Sequence, residues 1–306
     1  MAYYTGTATS YSDLLTQFKA ALALEGWTMG SGGYINKGSV NISLTSSSLG
    51  VFLRGASDVY PGTANLSPTS VRLGHYDSAV AVTFPVFYEA FIHTAPDEVY
   101  LVVNHTSTRY MWLAFGKSTL PQSGTGTGTW VGATSHAYTN NSGINLTSTS
   151  GGGSYGSTNT FDSVSLFTTT NKYINSFVDH GFTDMQASNW GAASVSGVGL
   201  EGNTTCAWRL MGPIVKTQPN SWNGESVLIP IQAYTARSEN KNSMTVDVQH
   251  ARYCRIDNYE PGDIISLGSD KWKVYPWWRK NVSVRDGQAG AEHTGTWGWA
   301  IRYDGV

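Results

Sequence analysis

Charged residues are scarce in this chain. Only 13% of its 306 residues are charged, about half of what globular domains usually contain. The formal net charge is −2 at pH 7, so the chain lacks the basic surface with which proteins displace counterions from phosphates. We therefore predict that no nucleic acid is among its partners.

Cysteine and long apolar runs are also scarce. The only two cysteines, Cys206 and Cys254, cannot form a disulfide framework, although their spacing leaves a single bridge open. No run approaches the ~20 apolar residues of a membrane helix, and Met1–Ser10 lacks the basic start and apolar stretch of a secretory signal. We predict buried free thiols, no membrane insertion, and synthesis and assembly in a cytoplasm.

Aromatic residues and glycine are, by contrast, frequent. The chain is 12% aromatic and 40% hydrophobic and contains 34 glycines, which separates it from disordered sequences. Its length suits one large domain or two medium ones, each able to bury a core. This composition is typical of a β-rich globular protein.

One helix is predicted close to the N-terminus. Ser10 or Ser12 can cap its first turn, and Gly26 follows the last apolar position, where glycine commonly ends helices. The apolar residues that share one face of this helix are Leu14, Leu15, Phe18, Ala21 and Leu22. The apolar period then changes from 3.6 to 2 at Val40, Ile42 and Leu44, which predicts an antiparallel meander.

Three consecutive β-runs are predicted between Ala79 and Phe115. Ala95-Pro96-Asp97 provides the turn between the first two runs. The runs are almost continuously apolar, which indicates burial on both faces. We expect the helix to cover one face, and another sheet or another subunit to cover the other.

The segment Leu120–Asn159 is rich in Gly, Ser and Thr, and we predict a surface insertion or linker there. The predicted organisation is an N-terminal helix plus antiparallel β domain over 1–119, this insertion or linker over 120–160, and a C-terminal β domain over 161–306. The fold class is mainly β with an α+β N-terminal part, and the C-terminal domain is a β-sandwich or barrel-like unit.

Further short strands are predicted in the second half, separated by Gly, Pro, Asn and Asp. A hairpin is expected around Gly268-Ser269, and the final strand places Trp297, Trp299, Ile301 and Tyr303 on one face. The earlier strand signals lie at Val164–Phe167, Tyr173–Phe177, Val195–Leu200, Thr205–Leu210 and Val227–Tyr234.

Metal ligation is not expected. His250 and Cys254 stand four residues apart, which is too little for structural zinc, and we interpret His250 as a hydrogen-bonded core histidine. His75, His93 and His105 lie on separate runs without a companion motif. The acidic segment 257–263 lacks the spacing of a calcium loop, so a solvated turn is favoured. We predict no metal and no cofactor.

Catalytic motifs are equally weak. Asp97 and Glu98 are adjacent, so an extended chain directs their side chains to opposite faces. The sequence contains no G-x-S-x-G, Walker A or H-E-x-x-H motif. We predict that the chain is not an enzyme, and a glycosidase or lyase remains the enzymatic alternative.

An aromatic segment over 275–280, YPWWRK, is the strongest candidate for a functional surface. Its side chains are those that dominate binding interfaces, because they bury a large area and keep a polar handle. Three interpretations stay open: a core or domain-junction plug, a subunit interface, and a carbohydrate-stacking platform. The residues predicted as an interface are Tyr275, Trp277, Trp278, Arg279, Trp297 and Trp299.

Four patches of the sequence resemble virion structural proteins of tailed bacteriophages. They are YYTGTATSYSDLLTQFKAALALEGWT, FIHTAPDEVYLVVNHTSTRYMWLAFGKS, GDIISLGSDKWKVYPWWRKN and HTGTWGWAIRYDG, which together cover about half of the chain. No catalytic residue is carried over by this resemblance. It implies a non-enzymatic component of a tail tip, baseplate or collar, located in the virion and assembled in the host cytoplasm.

The resemblance also implies partners. They are other copies of the chain in a ring and other virion proteins, which would cover exposed sheet edges. The alternatives are a glycan-binding host-adhesion module, with a host-surface glycan as ligand, and a capsid decoration protein.

Overall fold

A computed structural model provides the structure of the chain. It describes residues 1–58, 66–67, 70–74, 82–106, 109–134, 166–167, 169–170, 173–174, 176–181, 190–192, 227–237, 241–256, 258–277, 280 and 297–305. The predicted strands Val195–Leu200 and Thr205–Leu210 lie outside these residues, as do Cys206, His75 and Asp257.

The described residues form one α-helix, α1 (Tyr11–Leu24), and nineteen β-strands. The strands are β1 (Ala2–Ala8), β2 (Thr28–Met29), β3 (Tyr34–Lys37), β4 (Val40–Ser47), β5 (Gly50–Ala56), β6 (Val71–Gly74), β7 (Val86–His93), β8 (Glu98–Thr106), β9 (Arg109–Lys117), β10 (Thr129–Ala133), β11 (Thr169–Thr170), β12 (Tyr173–Ile174), β13 (Ser176–Asp179), β14 (Trp190–Ala192), β15 (Ile229–Arg237), β16 (Lys241–Arg255), β17 (Ile264–Leu267), β18 (Asp270–Pro276) and β19 (Trp297–Arg302).

Three antiparallel sheets organise these strands, and β11 and β12 form a separate two-stranded ribbon. The central sheet has the order β1-β7-β8-β9-β10-β13-β14, and the N-terminal sheet contains β2 to β6 in chain order. The C-terminal sheet has the order β15-β16-β19-β18-β17. The predicted class, mainly β with one N-terminal helix and a sandwich-like packing of sheets, is confirmed.

The helix begins and ends where local signals place it. The Ser10 hydroxyl accepts a hydrogen bond from the Asp13 N–H at 3.1 Å, so Ser10 rather than Ser12 is the N-cap. Gly26 follows the helix with φ +81°, a conformation that glycine adopts without steric cost. All five predicted apolar residues are buried, so the amphipathic pattern is confirmed.

The central sheet is buried on both faces. On one face Phe115 contacts Phe18 of α1 and Trp27, with ring centroids 6.4 and 5.2 Å away. On the other face Trp112 contacts Trp277 and Trp299 of the C-terminal part, at 5.6 and 5.2 Å. The second covering layer is therefore a sheet of the same chain. The first of the three runs begins as a strand at Val86, later than predicted.

The predicted insertion over 120–160 is corrected at its start. Its residues Thr129–Ala133 form β10, a fully buried strand that pairs with β9 and β13 inside the central sheet. Glycine permits this packing, because a Cβ on Gly126 would lie 2.5 Å from the main chain of His180 and Gly181. The small residue at position 126 therefore allows the main chain to approach that of His180 and Gly181 closely. Residues 135–160 of the predicted insertion lie outside the described part.

The second half of the chain contributes to two sheets. Strands β13 and β14 complete the central sheet, whereas the predicted boundaries place their residues in the C-terminal domain. Leu166 and Phe167 form a turn where a strand was expected. The hairpin around Gly268-Ser269 is confirmed as β17–β18, with Leu267 opposite Asp270. In β19, Trp299 and Ile301 face the main core and Ala300 faces a small second core, as the alternation predicted.

Candidate functional site

The predicted aromatic surface lies inside the molecule. Trp277 packs against Tyr253 and Trp299, with ring centroids 5.7 and 4.6 Å away, and Trp299 contacts Tyr100 of the central sheet at 5.6 Å. We call Tyr100, Trp112, Tyr253, Trp277 and Trp299 the aromatic cluster. Each member is at most 1% exposed, so the cluster fills the space between the central and C-terminal sheets.

The structure decides the role of three of the six predicted interface residues. Tyr275, Trp277 and Trp299 are buried within one chain and have no surface left for a partner, which corrects their assignment to an interface. Trp278 and Arg279 lie outside the described residues, and the side chain of Trp297 does too. The core-plug interpretation therefore holds for the described part of this group.

A glycan-stacking platform finds no support among the described tryptophans. Every tryptophan whose side chain the structure describes is at most 6% exposed. These residues are Trp27, Trp112, Trp130, Trp190, Trp272, Trp277 and Trp299. Stacking on a sugar face needs an open ring face, which these side chains do not offer.

A bulge in β16 lies beside the aromatic cluster. The register between β15 and β16 shifts after Pro230, so that the main chain at 249–251 has no partner in β15. Glu98 of β8 reaches this bulge and accepts the N–H groups of Gln249 and His250 at 2.9 and 2.8 Å. Arg252 donates to the carbonyl groups of Val248, Gln249 and Ala251. Side chains thus replace the missing strand partner.

Burial controls the chemistry of Glu98. Loss of solvation raises the pKa of its carboxyl to about 7, although the N–H groups of Gln249 and His250 and the hydroxyl of Tyr100 oppose that rise. Tyr100 donates to the carboxylate at 2.6 Å. Through its bonds to Gln249 and His250 this carboxylate joins β8 to β16.

Two histidines stack at the same junction. The rings of His93 in β7 and His250 in β16 are nearly parallel, with centroids 4.2 Å apart. Burial is the main cause that lowers the pKa of His93 to about 2 and that of His250 to about 4. His250 is held by this stacking and by the bond from its main-chain N–H to Glu98. The sequence predicts a core histidine at this position, but His250 is only half-buried.

A lysine joins the C-terminal sheet to the central sheet. Lys273 of β18 forms an ion pair with Glu89 of β7 and donates to the hydroxyl of Tyr3 in β1 at 2.8 Å. Its ammonium group lies 4.9 and 5.4 Å from the ring centroids of Tyr3 and Tyr303. Burial, followed by the bond to Glu89, raises the pKa of Tyr3. This cluster fastens the C-terminal sheet to the N-terminal strand.

The predicted acidic and metal-binding candidates have separate roles. Asp97 pairs with Lys37 at 3.0 Å near the surface, whereas its neighbour Glu98 points into the core. Cys254 is buried in the small second core, where its thiol donates to the Arg255 carbonyl at 3.2 Å. Asp263 accepts the N–H of Glu260 and closes the predicted turn. Within the described ranges, no group of three or more ligand-type side chains comes together around a metal position.

Exposed apolar side chains occur on the edge strand β17. Ile264 and Leu267 are 47% and 46% exposed, whereas Ile265 between them is buried. β17 is the last strand of the C-terminal sheet, and no other described strand pairs with its outer edge. Sequence reasoning placed the strand but missed its exposure; the uncharged run IISL beside a turn was the available signal.

No family model matches the chain, and no curated protein matches it. The described residues include no helix with the length and apolar character that crossing a bilayer requires. The outer edge of β17 is the candidate site, because no other described strand pairs with it and an unpaired strand edge can receive a further strand.

Proposed function

We propose that this chain is a non-enzymatic structural component of a tailed-phage virion, located at the tail tip, baseplate or collar. It assembles in the host cytoplasm with copies of itself and with other virion proteins. The observation that carries this proposal is the exposed, uncharged edge of β17, because an unpaired strand edge is a template for another chain. The four sequence patches that resemble phage virion proteins supply the biological setting.

The ionisable groups at the sheet junction also favour a mechanical role. Glu98, Arg252 and Lys273 direct their polar atoms to groups of their own chain, where they hold the two sheets together. A subunit under mechanical load benefits from such fixed contacts between layers. The low content of charged residues agrees with a protein whose surface is partly covered by neighbours.

Immunogold electron microscopy of intact phage particles that carry this chain tests the proposal. An antibody against the chain is expected to label the tail end, and antibody adsorbed beforehand with purified protein serves as the control. Label on the head would instead make the chain a decoration protein of the capsid. Absence of label on intact and on partly disassembled particles would reject a virion role and favour the glycan-binding alternative.

A further inference from the structure

The main-chain groups of β17 have a defined orientation. The Val274 N–H donates to the Asp263 carbonyl at 2.9 Å, so the groups of Asp263 point toward β18. Main-chain direction alternates along an antiparallel strand, and Ile265 therefore also points toward β18. The N–H and C=O groups of Ile264 and Ser266 consequently point outward, away from the sheet.

A second contact supports the same assignment. Lys271 lies opposite Ser266 in the β17–β18 ladder, and its carbonyl accepts the Tyr303 N–H at 2.8 Å. Lys271 thus directs its main-chain groups toward β19, so Ser266 and Lys271 form a pair without mutual hydrogen bonds. Ser266 is left with its donor and acceptor directed to the outside.

Two longer edge strands, β15 and β1, carry features that discourage pairing. On β15, at the opposite edge of the same sheet, Pro230 lacks an N–H donor and the register shifts beside it. On β1 the Gln17 amide donates to the Thr7 carbonyl at 3.1 Å. The strand Ile264–Leu267, in contrast, contains no proline and no charged side chain. β17 therefore lacks protection by proline or by charge, and only its length of 4 residues limits edge pairing.

We propose that β17 pairs antiparallel with β17 of a second copy, around a two-fold axis that passes beside Ile265. In this register Ile264 of each copy lies opposite Ser266 of the other, and the outward groups exchange about four main-chain hydrogen bonds. The two five-stranded C-terminal sheets thereby join into one. This inference deepens the proposed function, because it names the partner and register of an edge through which the chain assembles.

A second copy fits this edge because the strand is complementary to itself. The two outward residues are separated by one inward residue, which is the spacing that a reciprocal antiparallel pairing requires. Ile265 of each copy meets its counterpart in a pair without hydrogen bonds, where side chains approach most closely. These side chains lie on the face of Trp272, so the contact extends the small second core. No charged side chains are placed directly opposite each other.

Sedimentation velocity over a range of concentrations tests the dimer with the variant Ser266→Pro. Proline removes an outward N–H and leaves the bonds between β17 and β18 intact. Each dimer loses two main-chain hydrogen bonds, so we expect the dissociation constant to rise at least about tenfold. The control is Leu24→Ser, which removes a 75% exposed apolar side chain from α1 and should leave dimerisation unchanged.

The inference would be overturned if the wild-type protein stays monomeric at its highest soluble concentration, or if wild type and Ser266→Pro have equal dissociation constants. It would also be overturned if the control Leu24→Ser weakens the dimer as much as Ser266→Pro does. Circular dichroism verifies that each variant retains the wild-type fold, so that a loss of dimer is not caused by unfolding. A variant that fails this check is replaced by Ile264→Lys, which places a charge on the same edge and is also expected to weaken the dimer.

Oxidative cross-linking tests the register. In a Cys206→Ser background, Ile264→Cys protein mixed with Ser266→Cys protein should form disulfide-linked dimers faster than either variant alone, because opposed Cα atoms lie about 5.5 Å apart. Equal rates would reject the register. If the antibody labels phage particles but the isolated chain is monomeric, this dimer is rejected and the virion role stands. If the chain dimerises through β17 but no particle is labelled, the virion role is rejected and the dimer stands.

Discussion

The carboxylate of Glu98 is the most constrained polar group at the sheet junction. One oxygen accepts the N–H of Gln249, and the other accepts the N–H of His250 and the hydroxyl of Tyr100. A glutamine side chain offers one acceptor oxygen and one NH2 group. Whichever way the amide is turned, one main-chain N–H of the β16 bulge faces a donor.

We therefore expect Glu98→Gln to lower the free energy of unfolding by about 1–3 kcal/mol, the cost of a buried unsatisfied donor. The matched control is Asp97→Asn, which removes the neighbouring carboxylate from an ion pair near the surface and should cost less than about 1 kcal/mol. Urea denaturation above the pKa of Glu98 measures both values. Equal losses in the two variants would contradict the bulge-capping role.

The end of β18 shows how an element acquires a different role from the one its composition suggests. Trp and Arg in the segment 275–280 are typical of binding surfaces. In the fold, β18 lies between β19 and β17, and the face that carries Tyr275 turns toward the central sheet. Aromatic area that a partner would otherwise cover is buried by the chain itself.

Trp277→Ala should accordingly destabilise the protein rather than abolish assembly alone. Removal of a fully buried tryptophan leaves a cavity, and we expect a loss of about 3–5 kcal/mol in the free energy of unfolding. The control Phe87→Ala truncates an aromatic side chain on β7 that is 46% exposed, and it should cost under about 1 kcal/mol. Denaturation midpoints that match in these variants would show that Trp277 is not a core residue in solution.

The joining of the central and C-terminal sheets makes the stability of the whole molecule sensitive to acid. His93 and His250 meet across this boundary, and their pKa values in the fold are about 2 and 4, below the ordinary 6.5. As the pH falls below 6.5, the unfolded chain binds protons at these positions while the folded chain does not. Each histidine therefore lowers stability by at most about 1.4 kcal/mol per pH unit in that window.

Glu98 acts in the opposite direction. Its pKa is raised to about 7, so the folded chain binds a proton between pH 7 and 4.5 that the unfolded chain does not bind, and this gains stability as the pH falls. Since two histidines oppose one carboxyl, we expect a net loss of stability on acidification from pH 6.5 to 4.5. Urea denaturation across this range should show a smaller loss for His250→Gln; an identical loss would contradict the assignment.

Features that depend on neighbouring residues were predictable from the sequence. The spacing of Leu14 and Phe18, the cap at Ser10, the glycine after α1 and the Gly268-Ser269 hairpin each involve groups a few positions apart, whose steric and hydrogen-bonding preferences act locally. The alternation in β19 belongs to the same class. The mainly β fold class followed from such patterns.

Features that depend on which strands become neighbours were settled only by tertiary structure. The burial of Trp277, the capping of the β16 bulge by Glu98 and the placement of β10 all join residues far apart in the chain. Ile264 is exposed because β17 is the last strand of its sheet, although its sequence resembles that of a buried strand. Periodicity specifies the face on which a side chain lies, but burial depends on what covers that face, and distant segments supply the cover.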